Sequence, residues 1–312
     1  MVDYDKYKMT NEDIEIAIED FFTQILIEAR RQNNKARTLS DLSSKEPKVS
    51  LNIGQPGSGK TTLGRYIKSI CSNSGKCIIE LGSDKIATFH KYYNELLKLL
   101  PDECYNISRQ FVRAAEKTIT NQLMDNKINI VQEISLTKGE KDYKMLQEYR
   151  DHGYDVELNI IAVDKYESFL SCIERDIKLL ELGHDPRPVA RMNHDRMYDS
   201  FLQEIIEINK RGIASSINVY IRGTALNRPQ LIYTTGDNKY ANAQEAIIAE
   251  RAKNRKKILA DPQTYLARIT RARTNINMMI RDERLRNNYL EQISQLEVEF
   301  LNELAFERSY ND

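Results

Sequence analysis

Residues 54–61 read Gly-Gln-Pro-Gly-Ser-Gly-Lys-Thr, so glycines stand at 54, 57 and 59, followed by Lys60, Thr61 and Thr62. Glycines at this spacing let a backbone curl until successive N–H groups point inward, which makes a cradle for an anion. An apolar run, "VSLNI" at 49–53, precedes the loop, and a helix-forming stretch at about 60–72 follows it. Strand, glycine loop and helix in this order form a phosphate-binding turn, with the helix N-terminus adding positive potential. Gly54, Gln55, Pro56, Gly57, Ser58 and Gly59 then wrap a triphosphate such as ATP, and Thr62 closes the loop. Lys60 bridges the outer phosphates, and the Thr61 hydroxyl ligates Mg2+.

Holding a triphosphate does not define a reaction. A GTPase wants Asn-Lys-x-Asp to read its base, and the two candidates "DNKIN" and "DNKYA" lack the final Asp. A motor ATPase wants an apolar strand ending in Asp; "LNIIAVD" ends in Asp164 and keeps that reading open. A small-molecule kinase needs a carboxylate near the acceptor hydroxyl, a pocket for the acceptor, and arginines over the moving phosphoryl group.

Residues for a kinase are present. Asp84 follows "IIELGS", just past the C-terminal end of a strand, where open α/β sheets place their ligand crevice. A carboxylate there accepts the proton of an attacking hydroxyl, or else caps the helix after it. Glu133 closes the strand "NIVQEI", where a buried charge calls for a partner or a ligand. Arg175, Arg187 and Arg191 cluster in "IERDIKLLELGHDPRPVAR", a helix followed by a proline-broken loop. Guanidinium forks suit phosphate oxygens, although each arginine alone also reads as a surface charge.

These residues need elements to position them. Residues 10–33 predict a helix capped by Thr10 with Asp13, and 30–48 a polar linker. Strands are expected at 49–53, 76–81, 128–134 and 155–164, and helices at 108–124, 141–152, 166–182 and 195–211. Residues 217–235 predict a β-hairpin turning near Asn227, Arg228 and Pro229. Alternation of strands and helices implies an α/β fold with a mainly parallel sheet and helices on both faces. The expected division is an N-terminal helix and linker at 1–48, a kinase core at 49–240 and a C-terminal helical extension at 241–312. Residues 251–286 are strongly basic and the last turns acidic, which suits two solvated faces or, less simply, a nucleic-acid patch.

Formal net charge is zero, which argues against a nucleic-acid-binding chain as a whole. No apolar run approaches the roughly 20 residues needed to span a bilayer, and the N-terminus lacks the pattern of a secretory signal. Cys71, Cys77, Cys104 and Cys172 form no Cys-x-x-Cys pair, so structural zinc and disulfides are not expected and a reducing cytoplasm is.

In ordered segments the sequence resembles the zeta-toxin family, the kinase half of bacterial epsilon/zeta toxin–antitoxin systems. "GQPGSGKTTL" resembles the family's phosphate loop, "SDKIATFHKYYNEL" the segment with its catalytic aspartate, and "VQEIS" its strand with a glutamate. "AVDKYESFLSCIERDIKLLELGHDPRPVARMNHD" is similar to the family's helix and arginine lid, and "VYIRG…LIYTT" to its closing hairpin. The resemblance implies a P-loop kinase fold, and transfer of the ATP γ-phosphoryl group to a hydroxyl of UDP-N-acetylglucosamine. It also implies a small helical antitoxin partner. Asp84 would then be the general base, and Arg175 and Arg191 would stabilise the moving phosphoryl group. Glu133, Ser135, Lys138 and, more weakly, Glu116 would contact the acceptor. The run Ile134-Ser135-Leu136-Thr137-Lys138 departs from the family's Gly-Thr-basic pattern, which leaves another nucleotide-type acceptor, such as a nicotinamide dinucleotide, open.

Overall fold

The computed structural model describes residues 4–31, 36–74, 76–184, 186–223 and 227–311. Its centre is a six-stranded sheet: β1 (Lys48–Ile53), β2 (Ile79–Leu81), β3 (Ile130–Ile134), β4 (Asp155–Ala162), β5 (Ser216–Ile221) and β6 (Gln230–Thr234). Strand order is β2-β3-β1-β4-β5-β6, parallel throughout except for the β5–β6 hairpin. The central strands are apolar runs buried on both faces, as a parallel sheet under helices requires; Val49, Leu51, Ile53, Val156, Leu158 and Ile160 are wholly inaccessible. Residues 32–35 of the expected linker and 224–226 of the hairpin turn lie outside the described residues.

The helices are α1 (Asn11–Arg31), α2 (Lys60–Asn73), α3 (Ser83–Ala87), α4 (Tyr93–Leu99), α5 (Pro101–Asp125) and α6 (Glu140–Asp151). They continue with α7 (Lys165–Glu181), α8 (Arg191–Lys210), α9 (Ala243–Ala260), α10 (Pro262–Met279) and α11 (Glu283–Asn311). Thr10 and Asp13 form the expected capping box of α1: the Asp13 N–H donates to Thr10 Oγ1 at 3.1 Å, and the Thr10 N–H to Asp13 Oδ2 at 3.1 Å. Helices α1, α5, α6, α8 and α9 share one apolar cluster with the sheet, while α2 lays Leu63 and Ile67 on Val131, Ile161 and Val163.

Three boundaries differ from the sequence reading. Helix α5 starts at Pro101 rather than near 108, because proline fits the first helical position. Residues 83–99 hold the short helices α3 and α4, too brief to give a periodic signal. Helix α8 starts at Arg191 rather than Asp195, so Arg191 belongs to a helix and not to the proline-broken loop.

The C-terminal helices are not a free module. Tyr166, Phe169, Leu170, Ile173 and Ile177 of α7 pack against Tyr265, Ile269 and Ile276 of α10 and Tyr289, Ile293, Leu296 and Phe300 of α11. Part of the basic stretch is also turned inward. Arg255 pairs with Asp164 and Glu303, Arg268 with Glu167 and Glu174, and Arg273 with Glu297. Arg251 stacks 3.6 Å from the Tyr198 ring centroid. Lys253, Lys256, Lys257, Arg271, Arg281 and Arg284 of the same stretch stay exposed. Among the described residues no helix is long and apolar enough to cross a membrane. All four cysteines are free thiols.

Candidate active site

The loop after β1 is braced from behind by α7. Gly57 has φ 72°, and a Cβ there would stand 2.0 Å from the Ser168 carbonyl oxygen, so only glycine fits. Gln55 is buried and donates to the Val163 carbonyl at 3.1 Å and to Ser168 Oγ at 3.0 Å, tying the loop to the end of β4 and the start of α7. Gly59, with φ 103°, is the cap residue of α2 and offers no side-chain cap, which leaves the first N–H groups of that helix for an external anion. Ser58 Oγ is buried without a protein partner, and the Thr61 and Thr62 side chains are exposed at the helix start. Lys60 Nζ donates to the carbonyls of Gly54 at 2.7 Å and Gln55 at 3.1 Å. Burial pushes its ammonium below the usual lysine range, against the pull of the Glu133 carboxylate.

This cradle fits a triphosphate: open amides, a lysine at the mouth and an orphaned hydroxyl. Among the described residues no group of three or more His, Cys, Asp or Glu side chains is placed to hold a metal ion. A Mg2+ here would rest on the Thr61 hydroxyl, phosphate oxygens and water, the usual manner for this ion.

On the β2–β3 side stand the acceptor candidates. Asp84 is the second residue of α3 and does not cap it; Gly82 is the cap residue, and no side chain bonds there. The Asp84 side chain is 69% exposed, and its Oδ2 accepts a bond from Arg187 Nη1, whose side chain is 58% exposed. Glu133 is paired in register with Asn52 on β1 and is exposed, not buried as a strand-end charge was expected to be. Glu116 reaches the same region from α5. It accepts from Gln132 Nε2 at 3.0 Å and interacts with Ser83 and Lys138, and burial pushes its carboxyl above the usual range. Lys138 is exposed and Ser135 half-buried. Their loop is held by Asp142, whose Oδ2 receives the N–H groups of Thr137 at 2.9 Å and Lys138 at 2.8 Å.

The three arginines separate by role. Arg175 donates from Nε and Nη2 to Asp176 Oδ1, at 2.9 and 2.8 Å, and from Nη2 to the Arg187 carbonyl at 2.7 Å. Its charge is felt at Lys60. Arg191 is buried, bonds Asp195 and Glu299 at 2.7 Å each, and stacks on Phe169. In this structure the Arg191 guanidinium joins α8 to α11 and leaves Nη1 buried without a partner among the described residues, while Arg187 reaches Asp84. The spacing of arginines alone could not separate the two.

Asp164 is also reassigned. It caps α7 by accepting the Tyr166 N–H at 2.8 Å, is buried, and pairs with Arg255 Nη2 at 2.6 Å. A carboxylate neutralised in this way does not serve a motor-type Mg2+ site.

Sequence reasoning missed a polar line behind the loop. His194 Nδ1 lies 2.8 Å from Asp195 Oδ1, and its Nε2 lies 2.9 Å from Ser168 Oγ, the same hydroxyl that receives Gln55. Burial lowers the His194 pKa, and its two ring nitrogens face the Asp195 carboxylate and the Ser168 hydroxyl, which also donates to the Asp164 carbonyl at 2.9 Å. Ser, His and Asp in line suggest a nucleophile, yet Ser168 is fully buried; the line positions Gln55 instead. Arg222 was missed too. Its side chain passes 3.4 Å from where a Gly59 Cβ would stand, and it donates to Ser171 Oγ at 2.7 Å. The Ser168–His194 and Gly59–Arg222 contacts join residues distant in sequence, and no local pattern announces them.

A family model described as zeta toxin matches residues 33–238. The chain belongs to the zeta toxin family. It is 23% identical over 246 residues to Toxin PezT of Streptococcus pneumoniae serotype 4, which covers 78% of this chain and 94% of that toxin. It is 26% identical over 205 residues to Toxin zeta of Streptococcus agalactiae, covering 64% of this chain and 70% of the relative. A solved structure from the PezAT chromosomal toxin–antitoxin system of S. pneumoniae is similar at a TM-score of 0.65 and 20% identity, covering 85% of this chain and 98% of that one. At that identity the likeness speaks for the fold alone, and the fold of this zeta toxin family member is the P-loop kinase fold.

Proposed function

We propose that this zeta toxin family member is an ATP-dependent kinase that phosphorylates a hydroxyl of a UDP-sugar, most directly UDP-N-acetylglucosamine, and acts as a toxin. The observation that carries the reading is Asp84: an exposed carboxylate just past the C-terminal end of β2, at the same end of the parallel sheet as the Lys60 loop that follows β1, and bonded to the loop arginine Arg187. The toxin names of the relatives support the biological part.

ATP is the phosphoryl donor in this reading, and a Mg2+ held by the Thr61 hydroxyl would supply charge stabilisation to the phosphate oxygens. The loop amides and Lys60 hold the triphosphate and fix its direction toward the β2–β3 side. Asp84 accepts the proton of the acceptor hydroxyl. Arg187 moves from Asp84 to the phosphoryl oxygens as the acceptor enters, which releases the carboxylate to act as base. Arg175 steadies Arg187 through its carbonyl and adds positive charge near Lys60. Glu133, Ser135, Lys138 and Glu116 line the acceptor side, where their mixed donors and acceptors suit a sugar. A small helical antitoxin, encoded separately, blocks the nucleotide site; the PezAT relative comes from a toxin–antitoxin system.

The test is incubation with labelled ATP and a panel of UDP-sugars and nicotinamide dinucleotides. Label on a UDP-sugar is expected; label on a dinucleotide alone would move the acceptor, and label only in free phosphate would remove the kinase reading.

A further inference from the structure

The loop carrying Arg187 runs from the end of α7 to the start of α8, and both ends are gripped by one helix that lies outside the family-matched residues 33–238. At the α7 end, Asp176 is buried and divides its oxygens: Oδ1 takes both bonds from Arg175, and Oδ2 takes the Tyr289 hydroxyl at 2.7 Å. Arg175 Nη2 has two N–H groups, and it gives one to Asp176 Oδ1 and the other to the Arg187 carbonyl. At the α8 end, the cap residue is Ala190, which has no capping side chain. Gln292 Oε1 receives the Arg191 N–H at 3.0 Å in its place, and Glu299 takes the Arg191 guanidinium. Tyr289, Gln292, Leu296 and Glu299 recur at three- and four-residue steps, so they form one stripe along α11.

We propose that α11 is the fixed mount of the arginine loop, and that Tyr289 and Gln292 are positioning residues that set where Arg175 and Arg187 stand over the phosphate cradle. This rests on the kinase reading. Without the Tyr289 hydroxyl, Asp176 turns both oxygens to the guanidinium fork of Arg175, as carboxylates do when free. The guanidinium turns with that carboxylate, so the outer Nη2 N–H swings off the Arg187 carbonyl and Arg187 loses its tether beside Asp84. Without Gln292, the first turn of α8 has an open N–H and the other anchor slackens. Neither residue touches the cradle, so nucleotide binding stays while transfer suffers.

The test is a double-mutant cycle on the full chain, with UDP-N-acetylglucosamine and labelled ATP as probes and a fluorescent ATP analogue for affinity. Tyr289→Phe is expected to lower kcat on the order of 10-fold with ATP affinity unchanged, and to lower it no further in an Arg175→Ala background. Gln292→Ala, at a half-buried position, should split kcat from affinity in the same direction, and keeps the test open should Tyr289→Phe fail to fold. An active wild type whose Tyr289→Phe and Gln292→Ala variants turn over at full rate overturns the inference alone. Equal losses from Tyr289→Phe in both backgrounds also overturn it. A wild type that transfers no label to any acceptor in the panel removes the kinase reading and the mount together.

Discussion

The two sides of the phosphate loop are built differently. On the β4–β5 side the polar groups behind the loop are braced by further groups: Gln55 by Ser168, Ser168 by His194, Arg175 by Asp176, Asp176 by Tyr289, and Asp164 by Arg255. Apolar packing of α7, α10 and α11 fixes that arrangement. On the β2–β3 side Asp84, Glu133 and Lys138 are exposed and stand at a strand tip, a strand end and a loop. Under the proposed function, the contrast means a nucleotide half preorganised before anything binds and an acceptor half that its ligand would complete. Changes on the first side should act through geometry or stability, and changes on the second through turnover and acceptor choice.

The largest effect expected from breaking this contrast lies at the reacting groups. Asp84→Asn should lower kcat by on the order of 10²–10⁴-fold, the usual worth of a positioned general base, with ATP affinity and melting temperature unchanged. Lys60→Ala should abolish transfer while the chain stays folded. Normal turnover by the Asp84 variant would show that the base is elsewhere.

Next comes the packed side. Phe300 is fully buried against Tyr166 and Tyr265, so Phe300→Ala should destabilise by about 3–5 kcal/mol, read as a denaturant midpoint. An unchanged midpoint would mean that α11 does not pack on α7 in solution.

A paired comparison of arginines sharpens the division further. Arg187→Ala should lower kcat far more than it weakens ATP binding, because its contact tightens in the transition state. Arg191→Ala should instead lose about 2–3 kcal/mol of stability, since Asp195 and Glu299 lose their shared cation. The opposite assignment of losses would return the phosphoryl role to Arg191.

The smallest effect is a pH dependence. Glu116 has its folded pKa raised by burial, so the folded state favours the protonated form. Its contribution is present at acid pH and lost as pH rises through the folded value. Glu116→Gln should therefore gain stability relative to the parent, by about 1 kcal/mol or less, at about pH 8 and not at about pH 4. Equal midpoint differences at both values would contradict this.

Much of the nucleotide half was readable in the sequence because its signals are local. The strand, glycine loop and helix occupy 26 consecutive residues, Lys48–Ile53 through Lys60–Asn73, and the capping box of α1 spans four. Sheet topology followed from strand–helix alternation. The arginines were less legible, because distance along the chain says nothing of which side chain turns inward; Arg187 and Arg191 differ by their partners on α3 and α11. Asp164 misled for a similar reason, since an Asp ending a strand looks alike whether it faces Mg2+ or Arg255. The basic and acidic C-terminal stretches read as solvated faces, which Lys256, Lys257, Arg281 and Glu291 keep, but Arg255, Arg268 and Arg273 meet carboxylates of α7 and α11 across elements.

In the proposed reaction the loop's triphosphate delivers its last phosphoryl group to a sugar hydroxyl activated by Asp84. Mass spectrometry of the UDP-N-acetylglucosamine recovered from incubation with ATP and Mg2+ tests it most directly. A gain of one phosphoryl group with the parent chain, and none with Asp84→Asn, is the predicted result. An unmodified sugar beside accumulating free phosphate, or equal modification by the Asp84 variant, would contradict it.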